Sequence, residues 1–144
     1  MNENHKNSSS LKAVSAVVLG AAVLAILFLT LQSHSQTTGL SHPVYLWFRE
    51  HGFIGTEHEL RSRAHIPEYF FLGLALSFYG LVRSFRPRWI LLAGALCGLA
   101  DETLKIFLPT REFDFGDWIM DVIGIVLALS LCLVIKAAQR RSRS

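Results

Sequence analysis

The chain has 144 residues, is 51% hydrophobic, and carries a formal net charge of +3 with a mean hydropathy of +0.38. That length suits one small helical bundle and is short for two domains. The apolar residues lie in long runs, which argues for membrane spans, and the basic residues are not interleaved with aromatics, which argues against nucleic-acid binding.

Residues 1–12 are polar and carry Lys6 and Lys12. Ala13 to Leu31 follows as 19 uncharged residues, about 28 Å of helix at roughly 1.5 Å per residue, which matches a hydrocarbon core of about 30 Å. A cleavable signal peptide competes with a retained helix here, but Ser33-His34-Ser35 is only a weak cleavage site, and the retained helix is the reading adopted. Residues 32–64 read as the one long connection, with Arg49, Arg61 and Arg63 balanced by Glu50, Glu57 and Glu59. Within it Ser41 is a plausible cap for a short helix near residues 43–51. Its Tyr45 and Trp47 would lie in the membrane interface, with an ordinary packed loop as the alternative.

The remaining apolar runs are shorter than they first look. Tyr69–Val82 has 14 charge-free residues, Trp89–Ala100 has 12 and Val122–Ile135 has 14. Each reaches the length of a span only when its flanking carboxylates are counted in: Glu68, Asp101 with Glu102, and Asp121. The expected fold is therefore all-α: a compact bundle of four transmembrane helices near 13–31, 66–82, 89–108 and 118–135, in a single domain ending in a basic tail, 136–144. Arg83, Arg86 and Arg88 crowd the connection between the second and third runs, and Lys136, Arg140, Arg141 and Arg143 follow the fourth. By the positive-inside rule these ends, and the chain termini, face the cytoplasm of a multi-pass protein in the cell membrane. The acidic residues then gather at the outer leaflet.

Charge inside a bilayer is expensive and marks function. Ala100–Gly124 holds six acidic residues against Lys105 and Arg111. On helices, His65, Glu68 and Tyr69 share a face, as do Asp101 or Glu102 with Lys105, and Asp117 with Asp121. Stripes of small residues would bring these ends together: Gly73, Ser77 and Gly80; Gly94 and Gly98; Gly124, Ala128 and Cys132. The carboxylates outnumber their nearby cations, so a cluster that only pairs to hold helices in register leaves a surplus. Such a surplus suits proton transfer, cation binding or metal binding. No HExxH or Cys/His spacing supports a metal on oxygen ligands plus His65, so neither metal nor cofactor is expected. His5, His34, His42, His51 and His58 read as solvated loop histidines, His34 being the hardest to set aside. Cys97 and Cys132 read as buried free thiols.

Asp101-Glu102-x-x-Lys105-x-Phe107-x-Pro109-x-Arg111, then Asp117-x-x-x-Asp121-x-x-Gly124, together with Arg63-Ala64-His65-x-x-Glu68-Tyr69-Phe70-x-Leu72-Gly73, resembles the motif set of the VanZ-like family. Ser33, Ser35 and Ser41 resemble that family's serine-rich segment after the first helix. The resemblance covers most of the chain and implies a small multi-pass membrane protein; the founding member is linked to resistance to the lipoglycopeptide teicoplanin. Lys105 stands where the family usually has glutamine, Thr110 where it has glycine and Asp121 where it has asparagine. The first and last changes are opposite in charge, so Lys105 and Asp121 are expected to pair. Thr110 puts the turn before Arg111 in question.

Two functions fit. In one, the protein binds an amphiphilic cell-envelope or lipoglycopeptide-type ligand, with Arg111, Lys105, Tyr69, Asp117 and Asp121 as contacts and Arg111 forking onto an anionic group. In the other it is an enzyme on a lipid-linked envelope precursor. Glu102 or Asp101 is then the acid or base, His65 a proton shuttle, Glu68 a further candidate and Arg111 an electrostatic clamp. Transport is disfavoured, because four helices without an internal repeat enclose little of a pathway. Nothing in the sequence sets an oligomeric state.

Overall fold

The computed structural model describes residues 3–32, 34–109 and 111–142, of which 3–7, 34–38 and 40 are described as backbone only. The side chains of His5, Lys6, His34 and Ser35, and all of Ser33 and Thr110, therefore lie outside the described residues. Five helices run in order: α1 (Glu3–Thr30), α2 (His34–Glu50), α3 (Glu57–Val82), α4 (Pro87–Lys105) and α5 (Phe115–Arg141). No strand occurs among the described residues.

Three helices are long and apolar enough to cross a membrane: α1 from Ser8, α3 and α5. The fourth expected span, α4, is not among them. Its 19 residues include Arg88, Asp101, Glu102 and Lys105, too many charges for a lipid-facing segment of that length. Arg88 is exposed near the start of the helix, but the other three are not turned outward. Asp101 is 6% exposed, Glu102 0% and Lys105 4%.

The segment expected as one long connection is mostly helical. α3 begins at Glu57, well before the expected start near residue 66, because Thr56 and Glu59 form a reciprocal capping box. Each satisfies the other's backbone N–H, which makes the first polar turns of the helix viable without apolar burial. α2 likewise begins before Pro43 and carries that proline in its interior. Ser41 is consequently not its cap. Its hydroxyl donates to Glu57 Oε1 at 2.7 Å, and His42 Nδ1 lies 3.1 Å from Glu57 Oε2, fastening α2 to the start of α3. The basic tail is also helical as far as Arg141.

α3 and α5 make the most extensive contact of the bundle, and α1 and α4 pack on them. The crossing is close because Gly124 has no side chain. A Cβ there would stand 2.5 Å from the Ile66 carbonyl oxygen and 2.8 Å from the Phe70 nitrogen, both backbone atoms. Ile125, fully buried, fills the space over Gly73 and Gly94. Tyr69, Leu72, Leu76, Ile90 and Leu129 complete the core. Other large apolar side chains point away from the protein, including Val17, Leu24, Phe28, Phe71 and Val134. That pattern belongs to helices solvated by lipid rather than by water.

At one end of the bundle Arg83, the C-cap of α3, clamps α1. Its guanidinium donates to Ser15 Oγ at 2.8 Å and to the Lys12 carbonyl at 3.0 Å, and stacks 3.7 Å above the Tyr79 ring centroid. At the other end meet the C-termini of α1 and α4 and the N-terminal halves of α3 and α5. Asp101, Glu102, Asp117 and Asp121 lie there.

Candidate functional site

The site is assembled from four helices. Thr30, the last residue of α1, donates its hydroxyl to Asp101 Oδ1 of α4. One residue on, Glu102 accepts from Lys105 Nζ through Oε1 and from the Asp114 backbone N–H through Oε2, the latter at 3.1 Å. Lys105 Nζ also reaches Asp117 Oδ2 at 3.6 Å, so one buried ammonium serves carboxylates of α4 and α5. From α3, Ser62 donates to Asp117 Oδ1. His65 lies between two acids of α5, with Nδ1 2.8 Å from Asp121 Oδ1 and Nε2 3.3 Å from Asp117 Oδ2.

Local structure explains the arrangement. Asp114 caps α5 by accepting the Gly116 N–H at 2.7 Å, which starts that helix at Phe115 and aims Asp117 and Asp121 along one face. Gly98 then lets α5 approach α4, since a Cβ there would lie 3.0 Å from Asp121 Oδ2. Trp118 locks the same crossing by donating its indole N–H to the Ala95 carbonyl at 3.0 Å. The connection between α4 and α5 therefore covers 106–114, a few residues earlier than the expected loop at 109–117, because Asp114 begins the helix.

Most of the expected site residues are brought together. His65, Asp101, Glu102, Lys105, Asp117 and Asp121 form one continuous network. The expected pair of Lys105 with Asp121 is not among the ion pairs of the described residues: Lys105 takes Glu102 and Asp117, and Asp121 takes His65. The physical reason is reach. Lys105 is one turn from Glu102 on its own helix, while His65 fills the space beside Asp121. Tyr69 is 1% exposed, and its ring stacks on His65 at 6.4 Å between centroids. Its hydroxyl and Asp121 Oδ2 are buried without a hydrogen-bond partner among the described residues.

A cavity of about 580 Å³ opens against this network. Its polar side is formed by His65, Glu68, Asp101, Lys105, Asp117 and Arg111. Its apolar side comes from Ile26 and Leu29 of α1, Val44 of α2, Leu60 of α3 and Phe113 of the 106–114 connection. Glu102, Tyr69 and Asp121 stand behind the cavity wall rather than in it.

Sequence reasoning missed Thr30, Ser62 and Asp114. Ser62 sits three residues before His65 on the same helical face, a signal hidden by reading residues 32–64 as a loop. Thr30 carried no signal beyond being the last polar residue of an apolar run. Of the histidines read as solvated, His42 faces Glu57, His51 Nδ1 approaches the Trp47 carbonyl at 2.7 Å, and His58 lies 3.9 Å from Asp114. Cys97 and Cys132 are free and half-buried.

No curated protein and no solved structure matches the chain. A family model does, that of VanZ/LLP1, over residues 14–136. This match takes in α3, α4 and α5 through Lys136, most of α1, and every residue of the network, and the chain belongs to the VanZ-like family of membrane proteins.

Proposed function

We propose that the protein is a single-domain, four-span protein of the cell membrane that binds an amphiphilic cell-envelope molecule in the cavity beside the acidic network. The cavity itself carries this reading. One side is apolar enough for an acyl chain, and the other presents Arg111 and Lys105 for an anionic head group. The acyl chain of a lipoglycopeptide has the same chemistry.

Two observations support α4 as a fourth span despite its charges. Asp101, Glu102 and Lys105 are buried against other helices, so lipid never meets them. The basic residues Arg83, Arg86 and Arg88, and Lys136, Arg140 and Arg141, belong to the end of the bundle opposite the network. With the positive-inside rule this supports cytoplasmic termini and a network facing outward, with α2 lying in the outer interface.

The test uses full-length protein in detergent micelles and a fluorescent single-chain anionic lipid, lysophosphatidylglycerol. Saturable binding is expected, weakened about tenfold by Arg111→Ala, the loss of one charge-assisted contact of about 1.4 kcal/mol. Non-saturable partitioning, equal in both proteins, overturns the proposal.

The position of His65 favours a second reading, an enzyme. Its imidazole lies between two carboxylates at the cavity edge, as a proton-relaying group would. If Glu102→Gln and Asp101→Asn abolish function while lipid binding and membrane level persist, catalysis is the better account. If binding and function fall together, the binding module is.

A further inference from the structure

The network holds more negative charge than its own cations use, and part of its bonding capacity is open. Asp121 is 0% exposed; Oδ1 meets His65, but Oδ2 has no partner among the described residues. The Tyr69 hydroxyl, equally unpartnered, lies within electrostatic reach of Asp101, Glu102 and Asp121. A buried carboxylate oxygen left unpaired is costly at any depth and more so where no bulk water reaches.

Four side chains of the network converge. His65, Asp101, Glu102 and Asp121, from α3, α4 and α5, each offer one ligand atom, and these atoms all lie within 4.8 Å of one another. Ligand atoms at about 2.0–2.2 Å from one ion are ~3.5 Å apart in a tetrahedral shell and ~4.4 Å apart when opposite in an octahedral one, so the four side chains would draw inward on binding to close the shell.

We propose that His65, Asp101, Glu102 and Asp121 bind one divalent first-row transition-metal ion. The donor set is one imidazole and three carboxylates, with no thiol. It suits Mn²⁺, Fe²⁺ or Zn²⁺ better than Ca²⁺, which takes six to eight oxygens, or Cu⁺, which wants sulfur. The surroundings have the form of an outer shell. With Nδ1 on the ion, His65 Nε2–H donates to Asp117 Oδ2, now 3.3 Å away, the carboxylate–histidine–metal arrangement that orients a ligand ring. Lys105 and the Asp114 N–H hold Glu102, and Thr30 holds Asp101. His65 and Asp101 also line the cavity, which supplies an entry path. This goes beyond amphiphile binding and does not depend on it.

The test takes full-length untagged protein in detergent, stripped with chelator, and titrates it with Mn²⁺ followed by electron paramagnetic resonance. A parallel titration uses Zn²⁺ against a chromophoric chelator. One equivalent per chain is expected, lost in Asp121→Asn and Asp101→Asn and weakened about 10–100-fold in Asp117→Asn. Circular dichroism and size exclusion report whether each variant is folded. Wild-type protein provides a readout without substitution: bound Mn²⁺ should show nitrogen coupling from one imidazole. Absence of a stoichiometric site for both metals in wild-type protein overturns the proposal, as does unchanged binding by folded Asp121→Asn. Loss of metal with lysophosphatidylglycerol binding intact separates this site from the cavity's function.

Discussion

The two ends of the bundle solve the burial of charge differently. At the Arg83 end, one guanidinium meets a hydroxyl, a backbone carbonyl and an aromatic face, all neutral. Its hydrogen bonds and stacking account for its position there, and the arrangement reads as a clamp. At the opposite end, Glu102, Asp117 and Asp121 share Lys105 and His65 while Thr30 holds Asp101, with a cavity beside them and two buried polar atoms unpartnered. Spare bonding capacity, rather than the presence of charge, separates a site from a fastening.

Three substitutions break or sharpen that contrast. The largest effect is expected from Lys105→Met. It leaves Glu102 and Asp117 without their shared ammonium, and removal of one partner from a buried ion pair costs about 3–5 kcal/mol. Thermal unfolding in micelles should show the loss, with Lys105→Gln milder because an amide still donates to Glu102. If Lys105→Met proves neutral, the ammonium is not what compensates these acids, and the contrast between the ends collapses.

A smaller loss, about 1–3 kcal/mol, is expected from Gly124→Leu. The new side chain meets the backbone of Ile66, Tyr69 and Phe70, which cannot move aside without separating α3 from α5. Because His65 and Asp121 span that same interface, the variant should also lose metal binding while α1 stays clamped by Arg83. Cross-linking between cysteines placed on α3 and α5 reports the separation.

The smallest effect belongs to the clamp. Arg83→Gln loses the hydrogen bonds to Ser15 and Lys12 and the stacking on Tyr79, together about 1–2 kcal/mol at a partly exposed position. The unfolding midpoint should fall while Mn²⁺ and lysophosphatidylglycerol binding remain at wild-type levels. A matching fall in binding would mean that the two ends are coupled through α1 and α3.

Much of this was legible in the chain. The uncharged run before Leu31 and the apolar run after Val122 became α1 and α5, since run length and charge are local properties that decide whether a helix can be solvated by lipid. The spacing of His65 with Glu68 and Tyr69, and of Asp117 with Asp121, placed each set on one face, and the glycine stripes located the close crossings. The start of α3 was legible too, in Thr56 and Glu59, but the balanced charges around them read as a loop.

By itself the sequence determined an all-helical membrane chain whose acids lie at helix ends and gather on one side, because periodicity and hydropathy follow from order along the chain alone. Only the tertiary structure decided which cation serves which acid, that α4 buries Asp101, Glu102 and Lys105 rather than exposing them, and that Asp121 and Tyr69 keep unused polar atoms beside His65. Those outcomes depend on distances between helices far apart in sequence. They were set by Gly98 and Gly124, where the absence of a side chain lets two helices come close enough for their charged groups to meet.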